Sequence, residues 1–560
     1  MRDNDLVLGP LLRHVDETSA TVWVEIATRG TVTVHADGRT WSAPSFSAHG
    51  HHYALVDVDQ LQPGSTHAYT VDVNETRVWP PTDAGAPSRI RTLDPDRPLR
   101  LAFGSCRTSV PHDAEGNKSH GIDVLRAYAL RMMAAGENYD LWPDLVLFLG
   151  DQVYADETSD GMQEFIASRR SLEEGPEEEL KDFEEYAHLY SLAWSDPANR
   201  WLLSTLSSAM IFDDHDVRDD WNTSADWRQK MKATPWWQER IVGGLASYWI
   251  YQHLGNLTPG ERAQDDVWRQ VLQLRERGVD DITELLDRFA TAADADPESY
   301  RWSYMRDFHG ARLIVVDSRC ARVLEPGRRR MLDEYESKWL AEQLKGDVDH
   351  IFIGTSLPYL LPLGLHEFEA WNEATADGAW GERFSKVAER IRQGVDLEHW
   401  AAFQKSFREV AGLVTDVADG HRGRPPSTIT FLSGDVHHSY LAEVVRPQGT
   451  TRILQAVCSP IRNPLPMAVR FGQAMTSKRP SVSIGRRLAR RAQVPEPPFT
   501  WSITEGPWFD NMLATVNVEG GALGMKWEAA SIIEDRNFEP ELHIVHEFTV
   551  EAPAEAIPGG

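Results

Sequence analysis

Apolar and polar positions alternate in short runs at the start of the chain. Thr21-Val22-Trp23-Val24-Glu25-Ile26 and Thr31-Val32-Thr33-Val34-His35 carry the pattern, which is that of strands with a buried face. Asp37-Gly38 and Pro63-Gly64 supply turns between such runs. Pro80, Pro81, Pro87 and Pro95 then end the pattern. Residues 1–95 are therefore predicted to form an all-β domain followed by a linker.

Beyond that point the pattern changes. Continuous apolar runs of strand length appear at Leu99–Phe103, Leu145–Leu149, Met210–Phe212, Leu313–Val316, Ile351–Ile353, Ile429–Leu432 and Ile453–Val457. Long stretches of helical period separate them, so an α/β unit with a buried sheet is expected over 96–550. The stretches 160–205, 223–300 and 380–420 read as helical, the first two as insertions. Trp227, Trp236, Trp237 and Trp249 fall in the second. It is read as a lid beside a site, with core packing of a helical subdomain as the alternative. Ala552–Gly560 reads as a tail.

The residues just past the apolar runs carry the chemistry. The first run leads into Gly104-Ser105-Cys106, the second into Gly150-Asp151-Gln152-Val153-Tyr154, the third into Asp213-Asp214-His215-Asp216, and the sixth into Ser433-Gly434-Asp435-Val436-His437-His438. In open α/β sheets ligands bind beyond the carboxyl ends of strands, so these loops are expected to meet. Cys106 is either an inert buried thiol or, as thiolate, a ligand for a transition metal. Asp151 is a ligand or a helix cap. Tyr154 is packing, or a phenolate ligand. The second role needs a strongly Lewis-acidic ion such as Fe(III), because a free phenol titrates near pH ~10. Three carboxylates around His215 repel one another unless a cation or an arginine holds them. Asp435 and His437, two apart, point to one side of an extended segment.

Composition narrows the partners. The 560 residues exceed one core and imply at least two domains. The net charge of −28 argues against general nucleic-acid binding. It leaves room for a small phosphorylated substrate, because bound metal ions invert the local sign. The three cysteines, Cys106, Cys320 and Cys458, form neither a disulfide framework nor a zinc knuckle. No apolar run approaches the roughly 20 residues of a membrane span. The N-terminus shows no export signal, so a cytoplasmic location is expected.

Taken together, these loops resemble the calcineurin-like metallophosphoesterase superfamily, and within it the PhoD-type alkaline phosphatases. Gly150-Asp151-x-x-Tyr154 also has the form found in purple acid phosphatases. Ser105-Cys106 stands where most of the superfamily has Asp-x-His. Asp213-Asp214-His215-Asp216 stands for Gly-Asn-His-Glu/Asp, and Gly434-Asp435-Val436-His437 for Gly-His-x-His. The resemblance runs from about Leu99 to the strand after His437 and implies a metallophosphoesterase β-sandwich with flanking helices. The preceding domain fits the same order. Leu61-Gln62-Pro63-Gly64-Ser65-Thr66-His67-Ala68-Tyr69 looks like a turn and strand of a fibronectin type III-like sandwich.

Carried over residue by residue, the resemblance implies that Cys106, Asp151, Tyr154 and His437 hold a first metal, Fe(III). Asp151 would bridge to a second, Ca(II) or another divalent ion, held by Asp214 and Asp435. His215 would stand near the leaving group. The superfamily usually supplies one more histidine, but Gly354-Thr355-Ser356-Leu357-Pro358 has none, and His366 lies nearby in sequence. Arg107 and Arg218 are candidates for binding substrate oxygens, with salt bridges to motif carboxylates as the alternative. Arg486-Arg487-Leu488-Ala489-Arg490-Arg491 is a basic island suited to an anionic surface or to acidic helices of the same chain.

The expected activity is hydrolysis of phosphate mono- or diesters by a hydroxide bridging two metals about 3.5–4 Å apart, with Asp151 and His215 as the catalytic residues. Alternatives are a hydrolase of the same fold acting on phospholipids or phosphotriesters, and a non-catalytic metal- or partner-binding protein.

Overall fold

In a computed structural model, residues 5–81, 85–446, 449–465, 479–532 and 539–552 are described. The strands between Leu6 and Arg91 form two antiparallel sheets. One is ordered Leu6–Val15, Ala20–Ile26, His51–Val58, Phe46–Ala48. The other is ordered Arg39–Pro44, Thr31–Ala36, Thr66–Val73, Thr76–Trp79, with Arg89–Arg91 added to Thr66–Val73. Val22, Val24, Val32, Val34, Val56 and Val71 fill the space between them.

The first of these sheets is covered on its other face as well. Trp23 and Tyr53, which alternate with the sandwich residues, pack into the core of the following domain. The Trp23 and Tyr251 rings lie 5.3 Å apart, and the Tyr251 hydroxyl donates to buried Glu25 at 2.8 Å. This explains why every residue of Ala20–Ile26 is buried, which an alternating strand alone would not predict.

The remaining strands form two further sheets that face each other. One is ordered Ser207–Ile211, Leu145–Leu149, Leu99–Gly104, Met512–Glu519, Ala522–Ile532, Pro540–Val550. The other is ordered Tyr304–Phe308, Ala311–Val316, His350–Thr355, Thr428–Ser433, Arg452–Val457, Ser439–Val445, Thr500–Trp508. Leu145, Leu147 and Leu149 point into the space between the sheets and meet Leu313, Val315, Phe352 and Leu432. Val146 and Phe148 face the helices outside. A run apolar at every position is thus what a strand needs when both its faces are covered.

Part of the carboxylate excess ends helices. Asp113, Asp123, Asp182, Asp196, Asp265 and Asp333 each accept main-chain N–H groups as N-caps. Trp227, Trp237 and Trp249 are buried in the main helical core and Trp236 packs against it, so these four side chains of the stretch 223–300 serve packing. The basic island lies in the helix Arg479–Arg491, where Arg486 pairs with Glu367 at 3.3 Å and Arg490 with Glu496. No described helix is long and apolar enough to cross a membrane.

Candidate metal centre

Leu99–Gly104, Leu145–Leu149 and Ser207–Ile211 are parallel, as are Ala311–Val316, His350–Thr355, Thr428–Ser433 and Arg452–Val457. Their carboxyl ends share one edge of the sandwich. Two glycines let the loops there approach. A Cβ on Gly150 would stand 2.6 Å from the Asp213 Cβ, and one on Gly434 would stand 1.9 Å from the Ser105 hydroxyl. Ser105 also accepts the Asp435 N–H at 3.0 Å. Cys106, Asp151, Asp435 and His437 have φ of 57°, 50°, 62° and 51°. Left-handed backbone at four such residues costs of order 1–3 kcal/mol each and concentrates at functional sites.

One potential ligand atom from each of Cys106, Asp151 and His437 lies within 4.8 Å of the others. The Cys106 Sγ is 3.2 Å from Asp151 Oδ2. Burial, reinforced by the Asp435 charge, pushes the thiol up to about 11. Burial likewise holds the Tyr154 phenol well above its ordinary value. Neither would ionise there unless a strong cation took the place of the proton. The His437 Nδ1 donates to the Asn463 carbonyl at 2.6 Å, which leaves Nε2 as the free ligand atom. Burial lowers its pKa, so the ring is neutral, as a ligand must be.

Asp151, Asp213, Asp214 and Asp435 form a second group, again with ligand atoms within 4.8 Å. Burial and neighbouring negative charge raise Asp151 well above the carboxylate range, and burial raises Asp214 to about 6. Asp151 Oδ1 and Asp213 Oδ2 are buried without a hydrogen-bond partner among the described residues. Such a group is electrostatically incomplete. The donor chemistry suits cations: sulfur and imidazole gather with Asp151 in one group, and oxygen alone with Asp151 in the other.

Fully buried Arg319 supplies part of the missing charge. It pairs with Asp213, with Asp214 at 3.1 Å and with Glu398 at 2.5 Å. His215 stands over Tyr154, ring centroids 4.7 Å apart, and its Nδ1 meets Asp156 at 2.8 Å. Burial alone would lower the His215 pKa, but the Asp156 carboxylate, then Asp214 and Asp151, raise it well above its usual value. His215, Asp435 and His437 are the part-exposed members of the group, so solvent reaches the site from their side.

A sequence profile described as PhoD-like phosphatase matches residues 121–484. The chain belongs to the PhoD-like phosphatase family. It is therefore a metal-dependent phosphoester hydrolase. Residues 3–90 match a domain of unknown function, DUF7800. A solved structure titled "Structure of PhoD" shares the fold at a TM-score of 0.60 and 12% identity, covering 99% of this chain and 91% of that one. A purple acid phosphatase, PPD1 from yellow lupin (Lupinus luteus) seeds, aligns at 0.49 and 9% identity over 96% of this chain and 73% of that one. Comparison with curated proteins finds no match.

Three residues singled out in the sequence near this PhoD-like site make contacts elsewhere. Arg107, expected to bind substrate, is buried, with its guanidinium on Asp123 at 2.7 Å and on the Ala193 carbonyl at 2.8 Å. Arg218 is held by Glu179 at 3.0 Å and lies 5.4 Å from the Trp236 ring. Neither partner is a motif carboxylate. His366 is neither ligand nor surface residue: it is buried against Phe407 and Trp501, and burial pulls its pKa down to about 3.

Other residues reach the site unannounced. Ser356 follows the strand His350–Thr355, whose end carries no histidine, and its carbonyl accepts the Gly434 N–H at 2.9 Å. A histidine arrives from elsewhere: His399 lies 3.3 Å from Asp435 and 2.7 Å from Glu369. Asp317-Ser318-Arg319 directly follows the apolar run Leu313–Val316, so Arg319 had the same positional signal as the acidic ligands. His399, 44 residues past the strand His350–Thr355, had none.

Proposed function

We propose that the chain hydrolyses small phosphate mono- or diesters at a two-cation centre, Fe(III) beside Ca(II) or another divalent ion. The observation that supports this is the meeting of Cys106, Asp151, Asp213, Asp214, Asp435 and His437 at one sheet edge, with carboxylate oxygens buried and unpaired. Cys106, Tyr154 and His437 would hold the first cation, Asp214 and Asp435 the second, with Asp151 shared. Bound side by side, two such cations neutralise charge on a phosphate and make water acidic enough to attack phosphorus.

The chain's own residues do the rest. The thiol and phenol, protonated when alone, favour a trivalent ion, because both must give up a proton to bind. Asp156 holds the His215 Nδ1, which leaves Nε2 to pass a proton to the departing alkoxide. A positioned acid of this kind is worth roughly 10²–10⁴-fold. The −28 charge disfavours nucleic-acid polymers and agrees with a small substrate. The N-terminal sandwich, with two antiparallel sheets, we read as fibronectin type III-like.

The test is elemental analysis of purified protein, then a panel of phosphomonoesters and diesters, with each metal removed and restored. Iron, a visible tyrosinate band and metal-dependent turnover are expected. Turnover by colourless, iron-free protein would overturn the Fe(III) assignment.

A further inference from the structure

Arg13 belongs to the N-terminal domain, in the strand Leu6–Val15, and is fully buried. Its guanidinium crosses into the second domain. Nη1 donates to the Tyr251 carbonyl at 2.6 Å, and Nη2 to the Gln252 carbonyl at 2.7 Å and to Asn256 Oδ1 at 3.2 Å. Nε reaches the Ser208 carbonyl at 3.4 Å. These hydrogen bonds end on neutral oxygens. A planar fork with five donors can gather them, and an ammonium cannot.

The Tyr251 and Gln252 carbonyls belong to Trp249–His253, a π-helical turn that follows the helix Trp237–Tyr248, and the Ser208 carbonyl to the strand Ser207–Ile211. Carbonyls at a helix end lack helical donors, and Arg13 provides them. Gly255 makes room: a Cβ there would stand 2.6 Å from the Arg13 Cζ. π turns are rare and lie frequently at functional sites, and the extra residue in the turn changes the direction in which the following side chains point. Here the re-aimed side chain is Gln252, whose Nε2 donates to Asp216 Oδ1 at 3.0 Å and to the Tyr190 hydroxyl at 2.9 Å. The other oxygen of Asp216 accepts the main-chain N–H of Asp151 at 3.0 Å and of Asp213 at 2.9 Å. Asn256 clamps Met210, in the strand that leads to Asp213, through both its N–H and its carbonyl.

We infer that the N-terminal domain is a positioning element of the phosphoester site: Arg13 seats the π turn, Gln252 orients Asp216, and Asp216 sets the backbone of the two loops that carry Asp151 and Asp213. The inference rests on the site proposed above. Asp151 sits in the left-handed region, where such a clamp is needed. Arg13 and Gln252 are positioning residues, since neither belongs to the ligand group.

The test uses the full-length chain with Arg13→Lys, Gln252→Met, the double variant, and Gly255→Ala as a second route to displacing Arg13. Amide exchange needs no turnover, so it separates this inference from the proposed activity. We expect exchange at the amides of Asp151 and Asp213 to rise at least ~10-fold in each variant while Leu101–Phe103 stay protected. In metal-loaded enzyme we expect kcat to fall on the order of 10²-fold with KM little changed, as for a small misplacement of reacting groups. The double variant should lose less than the product of the two single losses, because Arg13 acts in part through Gln252 and in part through Asn256. Unchanged exchange at Asp151 and Asp213, exchange raised equally throughout the protein, or multiplying losses in the double variant would each overturn the inference. If Arg13→Lys does not fold, Gln252→Met and Gly255→Ala decide by the same exchange readout.

Discussion

The Nε2 of His399 stands 3.3 Å from the carboxylate of Asp435, while its Nδ1 meets Glu369 at 2.7 Å. Burial alone would raise the Asp435 pKa; His399 overrides it and holds the group down to about 2. The histidine thus keeps Asp435 ionised and oriented before any cation arrives. Removing a partner that orients a ligand costs roughly 10–100-fold in metal affinity. His399→Ala is therefore expected to weaken the divalent cation by about that factor and to leave iron bound. Calorimetric titration of chelator-treated protein measures it, and unchanged divalent affinity would contradict it.

His215 is expected to matter most when the leaving group is a poor one. For His215→Ala, turnover of alkyl phosphates should fall roughly 10²–10⁴-fold. A 4-nitrophenyl ester, whose leaving group needs no proton, should lose far less. Equal losses across a leaving-group series would remove the acid role.

Arg319 illustrates a buried charge that cannot be removed alone. Its three carboxylate partners, Asp213, Asp214 and Glu398, are all buried. Arg319→Met, close in volume, leaves them uncompensated and should destabilise metal-free protein by about 3–5 kcal/mol. Urea unfolding reads this directly. Adding Asp213→Asn should recover part of the loss, whereas additive losses would show that the pair is not coupled.

The junction between the domains carries a pH signature. His51 bridges Glu25 at 2.7 Å and Glu184 at 2.9 Å. Burial would lower its pKa, but the two carboxylates raise it from 6.5 to about 9. A folded-state value above the unfolded one means that the stabilisation is complete below pH 6.5 and lost as pH rises through 9. Unfolding free energy measured across that window should fall in the parent protein and stay flatter in His51→Gln. Parallel profiles would contradict the assignment.

How far the site was legible depends on where its residues sit. Asp151, Asp214, Asp435 and His437 each fall in the loop that follows a continuous apolar run, and the parallel sheets bring those ends to one edge. Arg319 comes after such a run too, but an arginine there reads as neither ligand nor acid until its carboxylate partners are known. His399 comes from a loop between helices, and Gln252 from a π turn, places set by tertiary packing and not by local pattern. The N-terminal alternation revealed strands, yet Trp23 and Tyr53 showed only in the fold that the sheet is buried on its second face. The tryptophans at 227, 237 and 249 were ambiguous between lid and core because apolar helix faces look the same in both.

Hydrolysis should depend on cations held at the strand ends around Asp151. The most direct measurement is diester turnover during metal titration into chelator-stripped protein, run in parallel with Asp151→Asn. We predict no turnover when stripped, recovery as metal is added to the parent protein, and none in folded Asp151→Asn. Undiminished turnover by the stripped protein, or by Asp151→Asn, would contradict the dependence.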